Sequence, residues 1–199
     1  MLKEKDILIK LKKRFSNDEK RVKHCIGTAK MAEKLALKEG VSVKRARIAA
    51  LLHDWAKSLS INKLYELVHQ CKWEIDEVEM SIPCVLHAPV GAEQIKKELK
   101  INDLGVLRAI RYHTIGNTDL DTLGKIIFVA DSIEPGRDYC GVENIRQKIT
   151  SDLDSLVIAV CEHGIIYNIN KKNIIHPSTL MMRNVLLEGK SNEKLCKRK

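Results

Sequence analysis

Aromatic residues make up only 4% of this chain, prolines number 4, and the six cysteines form no C-x-x-C pair. Each scarcity excludes something. Few aromatics leave no platform on which nucleic-acid bases could stack. Cysteines scattered at 25, 71, 84, 140, 161 and 196 argue against a zinc ribbon or a disulfide framework, and for reduced thiols in the cytoplasm. No apolar run approaches the ~18 residues of a membrane span, so no membrane partner is expected. Lys and Asp interrupt the first apolar residues, which gives no signal-peptide core. β-rich segments, internal repeats and low-complexity blocks are also missing.

What is present favours one helical domain. Hydrophobic residues reach 44% of 199, enough for a sizeable core, and Ala, Leu, Ile, Lys and Glu dominate. The formal charge is +9. It is spread over faces such as Lys10, Lys12, Lys13 and Arg14, over Lys44, Arg45 and Arg47, and over the terminal Lys197-Arg198-Lys199. With no helix-turn-helix signature and no compact arginine cluster, this reads as solvated surface with some attraction for polyanionic substrates, and no specific nucleic-acid partner is expected.

Apolar periodicity and capping residues divide the chain. Ile7, Leu8, Leu11 and Phe15 predict a helix over 3–15. Ser16-Asn17-Asp18-Glu19 is a capping box for a second helix that ends at Gly40, a natural residue just past a helix C-terminus. Ser42 can cap a central helix running to about Ala56, and Ser60 starts another. Residues 72–86 are less regular, and Pro89 suits the first turn of a helix through Glu98. Asn102 or Asp103 caps a helix that closes on Arg111-Tyr112-His113-Thr114. Further helices are expected over 121–134, 142–149 and 152–169, with His163 just exposed on the last of these. A loop over 170–175 follows, then a helix from His176-Pro177 through Leu187. The expected architecture is an all-α bundle spanning 1–189, with a basic, disordered tail at 190–199.

The chain is organised around Ile48-Ala49-Ala50-Leu51-Leu52-His53-Asp54-Trp55-Ala56-Lys57. An ionised carboxylate at the end of such an apolar run is costly unless something pairs with it. A metal ion would satisfy both His53 and Asp54. If they continue the helix, their side chains point roughly 100° apart, so the ion would lie at the edge between them and other helices must supply further ligands. Four more candidates stand in or beside helices near apolar residues: His24, His87, His113 and Asp131. Singly, each reads as a packing or surface residue, and His53-Asp54 as a core histidine beside a solvated acid. The ordered set of four histidines and two aspartates on five segments is far less expected by chance. Imidazole with carboxylate suits Fe, Mn, Co or Zn.

These strings resemble the HD-domain superfamily of metal-dependent phosphohydrolases. Leu86-His87-Ala88-Pro89-Val90-Gly91-Ala92, Arg111-Tyr112-His113-Thr114, Ala130-Asp131-Ser132-Ile133-Glu134-Pro135-Gly136-Arg137 and His176-Pro177 narrow the resemblance to the bacterial symmetrical diadenosine tetraphosphatases, over roughly residues 20–187. The resemblance implies that His24, His53, Asp54 and Asp131 hold the metal, with iron as the family's metal. His87 and His113 would face the open side, binding phosphate oxygens or completing a second metal site. Arg137 would grip a phosphate with Thr114 near it. Asn173, Ile174, Ile175, His176 and Pro177 would form part of the nucleotide pocket, so that residues from His24 to Pro177 surround a dinucleoside polyphosphate. Lys57 adds positive charge to the site or forms a plain salt bridge. A homodimer is compatible with the resemblance.

The residue types fit this chemistry on their own account. A divalent metal lowers the pKa of bound water towards ~7 and polarises a phosphoryl oxygen. Protonated His87 or His113, with Arg137, can offset charge on the phosphate, and a histidine can serve as general acid. No seryl or cysteinyl nucleophile with an adjacent base stands out, so direct attack by water is expected. Two alternatives stay open: an HD-domain hydrolase of mononucleotides or cyclic nucleotides, and a nucleotide or metal sensor without turnover.

Overall fold

A computed structural model describes residues 3–196 and is all-helical over them, with no strand among the described residues. In chain order the helices are α1 (Glu4–Arg14), α2 (Glu19–Lys38), α3 (Val43–Leu52), α4 (Ile61–Val68), α5 (Glu77–Met80) and α6 (His87–Leu99). They continue with α7 (Leu104–Tyr112), α8 (Thr122–Ile133), α9 (Val142–Arg146), α10 (Leu153–Lys171) and α11 (Pro177–Cys196). Among the described residues no helix is long and apolar enough to cross a membrane.

Local chemistry sets most boundaries. Asp18, Ser42, Ser60 and Asp103 each accept from the backbone N–H three residues on, at Arg21, Arg45, Lys63 and Val106, which satisfies a donor the first helical turn leaves free. Within the expected capping box, the capping side chain is Asp18. Gly40, at φ +66°, turns the chain after α2 so that Val41 N–H reaches Ala36 O at 3.0 Å. This is the glycine-terminated closure expected at that position.

The core forms where α2 packs on α3 and α8 while α7 lies across α3 and α8. Small residues permit the close approach: Ala29, Ala32 and Ala36 of α2 and Ala46, Ala49 and Ala50 of α3 are all buried. Ile110 of α7 and Ile126, Ile127 and Val129 of α8 fill the space between, fully enclosed. Helices α10 and α11 pack on each other, and α10 closes against α8.

Two expectations are corrected. The central helix ends at Leu52, not near Ala56, and tight turns follow, with Trp55 N–H on Leu52 O at 2.9 Å and Lys57 N–H on Asp54 O at 2.8 Å. At this break the His53 side chain takes the Ala50 carbonyl. The last helix does not stop at Leu187. It continues through Cys196, so the expected disordered tail is helical over most of its length, and Lys190 pairs with Asp152 at 2.5 Å. The remainder of that tail, residues 197–199, lies outside the described residues.

A buried ion pair ties the irregular segment to the core. Arg111 and Glu79, 1% and 2% exposed, meet through two hydrogen bonds of 2.7 and 2.6 Å, and Arg111 also donates to Glu74 O at 2.8 Å. Residues 72–86, short of periodic apolar positions, are thereby fixed against α7 by charge and hydrogen bonds.

Candidate metal centre

Six side chains from separate places in the sequence meet at one point. His24 comes from α2, His53 and Asp54 from the break after α3, His87 from the start of α6, His113 from the end of α7, and Asp131 from α8. The break after Leu52 lets the adjacent His53 and Asp54 face one centre, where a continuous helix would have splayed them apart. His24 Nε2 lies 3.0 Å from Asp131 Oδ1 and 3.1 Å from His53 Nε2. Asp54 stands between two groups. Its Oδ2 lies 3.4 Å from His53 Nε2 and 3.7 Å from His24 Nε2, while its Oδ1 lies 3.0 Å from His87 Nε2 and 3.8 Å from His113 Nε2. The last two imidazoles are 3.2 Å apart, Nε2 to Nε2.

The hydrogen bonds on the far side of each ring decide what this cluster suits. His53 Nδ1 lies 2.7 Å from Ala50 O, His87 Nδ1 2.6 Å from Cys84 O, and His113 Nδ1 2.7 Å from Ile110 O. A carbonyl only accepts, so each Nδ1 carries the proton and each Nε2 offers a lone pair inwards. His24 Nδ1 is likewise turned outward, to Glu134 Oε1 at 3.1 Å. Lone pairs held 3.1–3.2 Å apart beside two carboxylates repel unless a positive charge sits among them. The donor set fits a divalent cation, and His24, His53 and Asp131, or His53, Asp54 and His113, could hold one.

The electrostatics agree. Burial opposes ionisation of Asp54, but the imidazoles of His53, His113 and His87 beside it outweigh burial and hold the carboxyl well below its usual range. Asp131 is held well below its range despite burial too, by His24, His53 and Arg137. Burial lowers His53, yet the Asp54 and Asp131 carboxylates overcome this and raise it. Burial pushes His87 down to about 4, with Lys57 and His113 adding to the effect against the opposing influence of Asp54. This disfavours the protonated form of His87 expected from the sequence as a charge-neutralising group.

The centre opens on a cavity of about 390 Å³ through His87, His113 and Asp131, with His24, His53 and Asp54 set behind them. Lys57, Thr114 and Arg137 border the cavity. Arg137 Nη2 is paired with Asp131 Oδ1 at 2.5 Å, and Lys57 Nζ is 3.4 Å from His87 Nδ1. The Thr114 hydroxyl is buried without a hydrogen-bond partner. Of the expected nucleotide wall, Ile174, Ile175 and His176 line the cavity, whereas Asn173 and Pro177 do not. Asn173 instead donates to Asn168 Oδ1 at 3.1 Å. The His176 ring is committed to Asp76 at 2.9 Å and to Ser178 N–H at 3.1 Å, which makes it a brace for the wall. The Asp76, Glu79 and His176 carboxylates and imidazole also cluster, but Arg111 already neutralises Glu79.

Sequence reasoning missed four contributors. Arg21, one helical turn before His24, pairs with Asp54; its i,i+3 spacing from a candidate ligand was the available signal. Glu134 stands three residues beyond Asp131 behind His24. Tyr139 and His163 stack at the cavity edge, centroids 4.4 Å apart and planes 27° apart, which only the fold reveals. His163, expected just exposed, is half-buried by this contact.

Residues 21–136, more than half of the chain, match the family model described as the HD domain. The chain belongs to the HD-domain family. This HD-domain chain is 37% identical to a protein of Halalkalibacterium halodurans named symmetrical bis(5'-nucleosyl)-tetraphosphatase, over 85% of this chain and 90% of that one. A Bacillus subtilis protein of the same name is 33% identical over 86% and 91% respectively. Among solved structures, a predicted HD superfamily hydrolase involved in NAD metabolism from Clostridium acetobutylicum superposes with a TM-score of 0.88 at 34% identity, covering 94% of the HD-domain chain and 98% of the other.

Proposed function

We propose that this chain hydrolyses diadenosine tetraphosphate symmetrically to two ADP, by attack of water on phosphorus at a centre held by His24, His53, Asp54 and Asp131. The observation that carries the reading is Asp54, whose two oxygens face separate groups of imidazole lone pairs beside a cavity that His87, His113 and Asp131 line. The names of the Halalkalibacterium and Bacillus relatives support the substrate class. A divalent cation held by these residues would lower the pKa of water and polarise a phosphoryl oxygen. Iron is our reading of its identity, over Mn, Co or Zn. His87 and His113 offer lone pairs and no inward N–H, which favours a second cation position over direct contact with a phosphate oxygen.

The remaining residues bind and orient. Arg137 faces the cavity from its pair with Asp131, and its planar guanidinium suits a phosphate. Lys57 adds a second positive charge beside the same cavity. The unpartnered Thr114 hydroxyl can donate to a phosphate oxygen. Val160, Ile165, Ile174 and Ile175 offer an apolar surface for a nucleoside. Arg137→Lys keeps the charge but loses the two-pronged geometry. It is expected to lower kcat/KM by about 1–3 kcal/mol in free-energy terms, with metal content unchanged. Unaltered kinetics would leave Arg137 as a partner of Asp131 only.

The bond that breaks tests the assignment. A site that holds one nucleoside and its first two phosphates places the second phosphorus at the attacking water, so both halves leave as ADP. Chromatography of an early time point should show ADP alone, whereas AMP and ATP in equal amounts would overturn symmetrical cleavage. Binding without turnover, with each metal supplied, would favour the sensor reading. The free thiols of Cys25, Cys71, Cys84, Cys140 and Cys161 support a cytoplasmic location. Exposed Ile166, Tyr167 and Ile169 on α10 and Leu180, Met181 and Val185 on α11 offer apolar surface for a homodimer, a matter for light scattering in solution.

A further inference from the structure

Three of the four imidazoles at the centre are fixed by backbone carbonyls three residues before them, but His24 is fixed by a carboxylate. Glu134 is 3% exposed. Its Oε1 accepts from His24 Nδ1 at 3.1 Å, and its Oε2 accepts from Gly136 N–H at 2.6 Å. Among the described residues no Lys or Arg forms an ion pair with it, and its hydrogen-bond partners are one imidazole and one backbone N–H. Two features are shaped around this carboxylate. Gly27, three residues after His24 on α2, leaves room for it, since a Cβ there would stand 2.2 Å from Oε2. The Arg146 guanidinium pins the turn that carries it, donating to Ile133 O at 3.0 Å, Glu134 O at 2.5 Å and Arg137 O at 2.7 Å.

We infer that Glu134 is a positioning residue of the metal centre, holding His24 with Nδ1 protonated and making its Nε2 a stronger donor. The inference rests on the reading of His24 as a ligand. A carbonyl would orient the ring equally well, but a full negative charge on the far side also raises the basicity of the inward nitrogen. The segment from Asp131 to Arg137 thereby serves the site at three points three residues apart: a ligand, the residue that orients another ligand, and the guanidinium that faces the cavity.

Two substitutions separate charge from shape. Glu134→Gln keeps an acceptor for His24 and removes the charge. Gly27→Ala keeps every charged group and expels the carboxylate from its niche. The probe is Mn²⁺ alone, titrated into metal-free protein and followed through the paramagnetic resonance of the free ion, beside circular dichroism and thermal melting of the metal-free form. Both variants are expected to bind Mn²⁺ about 10–100-fold more weakly, the usual cost of losing such an outer partner, with helical content retained. Parent-like Mn²⁺ affinity in Glu134→Gln would overturn the inference, and a lowered melting point with unchanged affinity would assign Glu134 a purely structural role. A parent protein that binds neither Mn²⁺ nor, without air, Fe²⁺ would overturn the metal-centre reading itself.

Discussion

Asp54→Ala is expected to strip the protein of metal and of hydrolysis while its helices persist. Asp54 is the one residue whose two oxygens face both groups of imidazoles, His24 and His53 on one side, His87 and His113 on the other. Loss of an outer partner to a ligand typically costs 10–100-fold, so loss of a shared ligand should cost more than about 100-fold in activity. The fold should survive, because Leu51, Leu52, Trp55 and Ala56 around the break remain buried apolar contacts. Elemental analysis of protein purified without air, activity against diadenosine tetraphosphate and circular dichroism measure the three parts. A folded Asp54→Ala protein with full metal and activity would sink the assignment of this centre.

A comparably large loss, this time of stability, is expected from Arg111→Met. The substitution leaves the Glu79 carboxylate, 2% exposed, without its guanidinium partner. Breaking one side of a buried pair costs about 3–5 kcal/mol, which for a domain of this size is a fall in Tm of roughly 6–20 °C. Removing both charges, as in Arg111→Met with Glu79→Leu, should recover most of that loss, since the penalty lies in the unpaired charge. Thermal unfolding of the single and double variants decides it. A single variant that melts within a degree or two of the parent would mean that water reaches Glu79 and screens it.

The helices were legible because their signals are local. Asp18, Ser42, Ser60 and Asp103 mark starts by a bond to the backbone three residues on, and Gly40 marks an end by its positive φ. The six clustered side chains were legible as well, because histidine and aspartate beside apolar runs invite a partner. What escaped depends on tertiary neighbours. Nothing in the apolar run before His53 announces that the helix will stop at Leu52 or that the His53 ring will take the Ala50 carbonyl. Glu134 reads as an ordinary acid before Pro135 until α2 brings His24 to it across 110 positions. Tyr139 and His163 meet only because α10 passes the turn after α8. The polar stretch after Leu187 suggested disorder, but it is rich in Glu and Lys, which suit helix without needing a core.

Helices α3 and α7 both end at the centre, with His53 and His113 as their last capping residues. A helix end of this kind carries partial negative charge, and two of them point their carbonyl poles at a spot already holding two aspartates. A polyphosphate arriving first would meet repulsion from these groups, relieved in part by Arg21 on Asp54 and by Arg137 and Lys57. A cation arriving first is drawn in and reverses the sign of the field. Cation before polyphosphate is therefore the loading order expected from the direction of these two helices, and a nucleotide offered to chelator-treated protein should bind more weakly than to the metal-loaded form.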